Sequence, residues 1–254
     1  MSALIHGDLA ARLRALTPAR VGLGCTGVSQ RTRDLLDFQK SHALARDAVH
    51  AHLDVAGLAA DLRAISGTSA LCLRSSAANR TIYLQRPDLG RALSTESETD
   101  ITEGGLRGFD LSIVIADGLS ALAVERHSAP LLRILLPMLN LWTLAPICVV
   151  EQGRVAIGDP IGEILGAKLC LMLIGERPGL SSPDSLGAYI TWNPQPGRTD
   201  AERNCISNIR VNGLGYEAAA NQIIFLLREG RQRKLTGVGL KLSAPELAER
   251  TTEC

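Results

Sequence analysis

A chain of 254 residues is long enough to bury a substantial core, as one large domain or as a main domain with a smaller appendage. A net charge of +1 with both signs interspersed leaves no nucleic-acid footprint, and two Trp, three Tyr and three Phe provide no stacking platform for single strands. Six cysteines (25, 72, 148, 170, 205 and 254) form no CxxC pair, which points to a reduced, intracellular protein.

At the start of the chain, Leu4, Leu9, Leu13 and Leu16 recur near the helical period, and Thr17-Pro18 ends that pattern. No continuous apolar signal-peptide core is present, so secretion is not expected. Gly22-Leu23-Gly24-Cys25-Thr26-Gly27 fits GxGxxG, but only Arg20-Val21 separates it from Pro18-Ala19. Without a preceding strand the motif reads as a loop into the next helix rather than a nucleotide site. That helix is expected from Thr32 to about His52, with Leu35, Leu36, Ala43 and Val49 facing inward, and a third near Leu58–Ile65 stops at Gly67. His42, His50 and His52 share no single helix face, so no metal site is read there.

From Ser69 the character changes. Apolar runs at Leu71–Leu73, Ile82–Leu84, Leu111–Ile115, Ile147–Val150, Leu169–Ile174 and Ala188–Trp192 alternate with helical patterns. This alternation predicts an α/β fold: a mostly parallel, Rossmann-like sheet with helices on both faces, plus a small helical N-terminal part. Cys72, Cys148 and Cys170 lie in these runs and read as small core residues. The expected division is a helical region 1–67, an α/β domain 68–242 and a polar tail 243–254. Leu131 to Val150 is mostly apolar, yet it holds Arg133, Asn140, Pro137 and Pro146. It reads as a helix end, a turn and a strand rather than a membrane span. The last strong helix runs from Tyr216 to about Gly230.

Two turns stand out for function. Lys168 to Ile174 has the length and continuity of a buried parallel strand, and Gly175-Glu176-Arg177-Pro178-Gly179-Leu180 follows it. Such turns lie outside the carboxyl ends of the strands, where open α/β sheets bind ligands. Glu176 therefore faces a crevice with an apolar wall, and an unpaired carboxylate there needs partners. The structural reading pairs it within the chain with Arg177 or Arg154. Asp117-Gly118 follows another strand, and Asp117 reads first as a cap or brace and second as a ligand contact. GxSxG, HExxH and P-loop motifs are absent, which removes support for hydrolase and kinase readings.

The motif series resembles the small subunit of ethanolamine ammonia-lyase. Its segments are Gly153–Val155, Ile161–Ala167, Gly175–Leu180, Arg203–Ile209 and Glu217–Ala220, in that order, with Tyr83–Arg91 and Ala116–Ser120 upstream. Together they span roughly residues 20 to 242. The resemblance implies adenosylcobalamin as cofactor, contacted here by Val155, Glu176 and Cys205. The missing DxHxxG segment agrees with a cobalamin that keeps its own base. It further implies conversion of ethanolamine to acetaldehyde and ammonia by a radical route, in a heteromer whose large subunit binds the substrate. This chain would then clamp the cofactor, with no catalytic acid or base and no activity alone. Membrane and nucleic-acid partners are not implied, and the expected location is the cytoplasm or a bacterial ethanolamine-utilisation microcompartment. A stand-alone flavodoxin-like nucleotide or flavin binder is the alternative from the sheet and its crevice alone.

Overall fold

The computed structural model describes residues 2–17, 19–23 and 25–240. The predicted tail 243–254 and the side chain of Leu4 lie outside the described residues. Helix α1 (Ser2–Leu16) is followed by a two-residue hairpin, β1 (Cys25–Thr26) with β2 (Ser29–Gln30), then α2 (Thr32–His50) and α3 (Val55–Ser66). The glycine-rich loop thus runs into a small hairpin, with no strand ahead of it among the described residues. Helix α3 is bounded as its sequence dictates: the Asp54 carboxylate accepts from the Gly57 N–H, and Gly67 ends it in the left-handed region.

The remaining elements are β3 (Leu71–Arg74), α4 (Arg80–Gln85), α5 (Thr95–Glu103), β4 (Leu111–Ala116), α6 (Ala121–Leu135), β5 (Cys148–Glu151), α7 (Gly158–Ile164), β6 (Leu169–Gly175), β7 (Leu186–Trp192), β8 (Arg203–Ile209) and α8 (Tyr216–Arg233). Six strands form one sheet in the order β3-β5-β4-β6-β7-β8. The first four are mutually parallel, while β7 and β8 are added antiparallel. Strands β4 and β6 are buried along their whole length, which is why their sequences read as continuous apolar runs.

Alternate residues of these strands feed two cores. Ile113, Ile115, Leu171 and Leu173 pack against α3, α6 and α8 on one face, with Leu58, Leu132 and Ile223. Val114, Cys148, Cys170 and Met172 pack against α5 and α7 on the other, with Ile101 and Ile161. The β4-to-β5 connection runs one way along the sheet, and the β3-to-β4 and β5-to-β6 connections run the other. Crossovers of one hand then require opposite faces, as observed.

Several local expectations are corrected. Ile82–Leu84 is helical, because Asn79 accepts from the Ile82 N–H and starts α4, and a three-residue apolar run has no period of its own. Leu35 and Leu36 are 41% and 58% exposed; only Ala48 of α2 is buried, and α2 contributes to neither core. His52 falls beyond α2. Cys72 is exposed because β3 is an edge strand, whereas Cys148 and Cys170 are buried. Strand β8 was not expected from its polar sequence.

Ala116 pairs with Val150 on one side and Ile174 on the other, so β4, β5 and β6 end nearly flush. The loops after β4 and β6 then touch. The Leu119 N–H donates to the Gly175 carbonyl (2.9 Å), Gly118 has φ +55, and a Cβ on Gly175 would overlap the Ser120 and Asp117 carbonyl oxygens. Both obstacles are backbone, with no flexible side chain to give way. We expect Gly175→Ala to cost at least the upper part of the roughly 1–3 kcal/mol typical of overpacking. Urea denaturation of the purified chain measures this directly.

Candidate functional site

The flush carboxyl ends leave a crevice of about 400 Å³. Its walls come from the loops after all three central strands: Leu119 after β4, Arg154 and Val155 after β5, and Glu176 and Arg177 after β6, with Tyr189 from β7. The chain leaves β4 and β5 over opposite faces of the sheet, the arrangement that opens a ligand crevice in α/β folds. A larger cleft of about 750 Å³ lies beyond Val155 and shares Arg154 and Val155 with the first.

Beneath the crevice sits a buried ion pair. Arg80, 5% exposed, donates from Nη1 to Asp117 Oδ2 (3.2 Å), the Gly118 carbonyl (2.8 Å) and Gln152 Oε1 (3.4 Å), and from Nε to the Val49 carbonyl (2.6 Å). Asp117, 1% exposed, also accepts from the Gly153 N–H (3.1 Å). Burial pushes the Asp117 carboxyl up to about 6, against the pull of Arg80 and of neighbouring backbone N–H groups. Asp117 is therefore a brace, and the cap of α6 is Ser120, which accepts from the Ala123 N–H. Gln152, buried and with φ 58, is held in the left-handed region within this network.

Glu176 is half-buried, and its partners are neither Arg177 nor Arg154. Oε2 accepts from the Ser185 hydroxyl and from the Asn208 N–H (3.0 Å). Oε1 has no hydrogen-bond partner among the described residues. Ser185 in turn is held by α6: Ser120 Oγ donates to the Pro183 carbonyl (2.8 Å) and Arg126 pairs with Asp184 (2.9 Å). Val155, half-buried, opens a short 3₁₀ turn and lies on the ridge between the two clefts.

Val155 and Glu176 thus share one crevice. Cys205 stands one residue behind it. It pairs in register with Tyr189 on the adjacent strand. The residue is exposed, yet its sulfur lies against Tyr189, and partial burial together with the Glu176 charge raises its thiol above the usual range. Burial, then the Cys205 contact, raises the Tyr189 phenol as well. Sequence reasoning missed Tyr83, Tyr189 and Arg80. Tyr83 is fully buried under the crevice and donates to the Gly153 carbonyl (3.1 Å); reading its segment as a strand hid it.

A family model described as "Ethanolamine ammonia-lyase light chain (EutC)" matches residues 7–241. The chain belongs to that family. It is similar to the ethanolamine ammonia-lyase small subunit of Pseudomonas fluorescens strain Pf0-1, with 57% identity over 234 residues, covering 90% of this chain and 85% of the relative. The small subunit of Pseudomonas aeruginosa strain LESB58 is 56% identical over the same length and shares. This light-chain assignment leaves the flavodoxin-like alternative without support. No helix among the described residues is long and apolar enough to cross a membrane.

The ion pair makes a clear prediction. Arg80→Met or Asp117→Ala alone each costs on the order of 3–5 kcal/mol, because each leaves the other charge buried and unpaired. The double variant is expected to cost well below the sum, as read by denaturant titration of the four proteins in a double-mutant cycle.

Proposed function

We propose that this chain forms one wall of an adenosylcobalamin site in an ethanolamine ammonia-lyase, with the large subunit forming the other wall and holding the substrate. The observation that carries the reading is the state of Glu176. One carboxylate oxygen is anchored twice inside the chain, and the other is left as an acceptor at the mouth of a crevice with apolar walls. The rim of a corrin bears primary amides, whose N–H groups suit that acceptor, and Val155 and Leu119 offer apolar contact to a macrocycle edge.

Size supports a shared site. A crevice of about 400 Å³ lies near the small end of the roughly 300–1,000 Å³ that encloses a drug-sized ligand. It can seat an edge of a macrocycle and leaves the rest to a second chain. When bound, the cofactor supplies the cobalt–carbon homolysis from which ethanolamine is converted to acetaldehyde and ammonia. The light chain contributes position. Its buried carboxylates are committed inside the chain, Asp117 to Arg80 and the Gly153 N–H, Asp159 to Arg203 and Asp110 to Lys168, which supports a positioning role. Holding the cofactor in one orientation lowers the cost of reaching a reactive geometry.

Glu176→Ala is expected to weaken cobalamin binding about ten- to a hundredfold, the loss of a hydrogen bond to a charged group of roughly 1.5–3 kcal/mol. Glu176→Gln keeps the shape and should lie between. Spectral titration of hydroxocobalamin into the assembled two-subunit complex measures both, and unchanged affinity in Glu176→Ala would remove the reading.

A further inference from the structure

The crevice wall holds Arg154 and an exposed Arg177, and the two buried arginines nearby are largely committed. Arg80 serves Asp117, Gly118, Gln152 and Val49. Arg203, 2% exposed at its side chain, grips Asp159 through two hydrogen bonds (2.7 and 2.6 Å) and donates to Thr191 (2.9 Å). Arg154 differs. Among the described residues it makes no ion pair, and its guanidinium makes a single hydrogen bond, from Nη2 to the Tyr83 carbonyl (3.3 Å). Its Nε is buried without a partner, as are Arg80 Nη2 and Arg203 Nε, so the difference lies in the missing ion pair and the single hydrogen bond.

This under-used guanidinium is nevertheless held firmly. Its Cζ lies 4.2 Å from the centre of the Tyr83 ring, a cation–π distance, and Tyr83 is itself fixed by its hydroxyl on Gly153. The Arg154 N–H donates to the Gly90 carbonyl (2.7 Å). Gly90 is needed for this packing, because a Cβ there would come within 2.8 Å of Arg154 Cγ and 3.0 Å of the Tyr83 ring. The result is a pre-organised donor on the ridge common to both clefts, beside Val155 and across the crevice from Glu176.

We propose that Arg154 is a further ligand-binding residue of this site, donating to an oxygen acceptor of the bound corrinoid. The inference rests on the cobalamin reading of the crevice. Glu176 accepts from ligand N–H groups, and Arg154 supplies the complementary donor. A guanidinium suits this work because it stays charged and carries five N–H groups in a fixed plane. The acceptor is either an amide carbonyl of the corrin rim or the phosphodiester of the nucleotide arm, which projects beyond a macrocycle edge and has the larger cleft to enter.

The test uses the light chain assembled with its large subunit and follows hydroxocobalamin and cobinamide binding by absorbance. If the wild-type complex binds neither corrinoid, the cobalamin reading itself fails. If it binds, Arg154→Met is expected to weaken hydroxocobalamin by about ten- to a hundredfold, with assembly intact by size-exclusion chromatography. Arg154→Lys, which restores a charged donor, is expected to recover part of that loss; no recovery in a folded, assembled complex would overturn the donor role. A penalty that persists with cobinamide assigns the acceptor to a rim amide, and a penalty seen only with the intact cobalamin assigns it to the phosphodiester. Equal affinities of wild type and Arg154→Met for both corrinoids would overturn the proposal.

Discussion

The Arg80–Asp117 pair is the constraint on which the site depends. It joins four segments: the end of α2 through Val49, the start of α4, and the loops after β4 and β5 through Gly118, Gln152 and Gly153. Taking both charges out of water is expensive, so the pair is a weak source of net stability. Its effect is specificity of arrangement. Any alternative packing of these loops strands a charge, and the crevice inherits the rigidity of the loops that form it.

On that frame the polar groups separate into two sets. Arg80 is bonded to Asp117 and Gln152, and Arg203 to Asp159, all within the chain. Glu176 and Arg154 are held from behind, by Ser185 and Asn208 in one case and by Tyr83 in the other, and keep bonding capacity toward the crevice. Supporting contacts fix the orientation of each group before a ligand arrives, which reduces the ordering cost of binding. A small, open crevice with pre-set donors and acceptors suits a surface that meets its ligand from one side.

Much of this was legible in the sequence, for identifiable reasons. Buried parallel strands write themselves as uninterrupted apolar runs, so β4, β5 and β6 were readable, and the turn bearing Glu176 followed from the end of β6. Exposed or half-exposed strands have no such signature, and β8, with burial on only some of its residues, escaped notice. The Tyr83 segment misled because three apolar residues fit a strand as well as a helix, and its Asn79 cap was the overlooked cue. The partners of Glu176 were not readable at all. Ser185 and Asn208 lie 9 and 32 residues away and reach it only through the β6–β7 connection and the end of β8. Apolar spacing in α1 and α2 was also a poor guide to burial, since Leu13, Leu16 and Leu36 stay exposed at 44%, 84% and 58%.

The most direct test is acetaldehyde formation from ethanolamine and adenosylcobalamin, with this chain, a large subunit from the same source, and their mixture assayed side by side. Activity confined to the mixture is the predicted result and makes the light chain an obligate part of the enzyme. A soluble complex that binds no cobalamin and forms no acetaldehyde would contradict it, as would a large subunit fully active by itself.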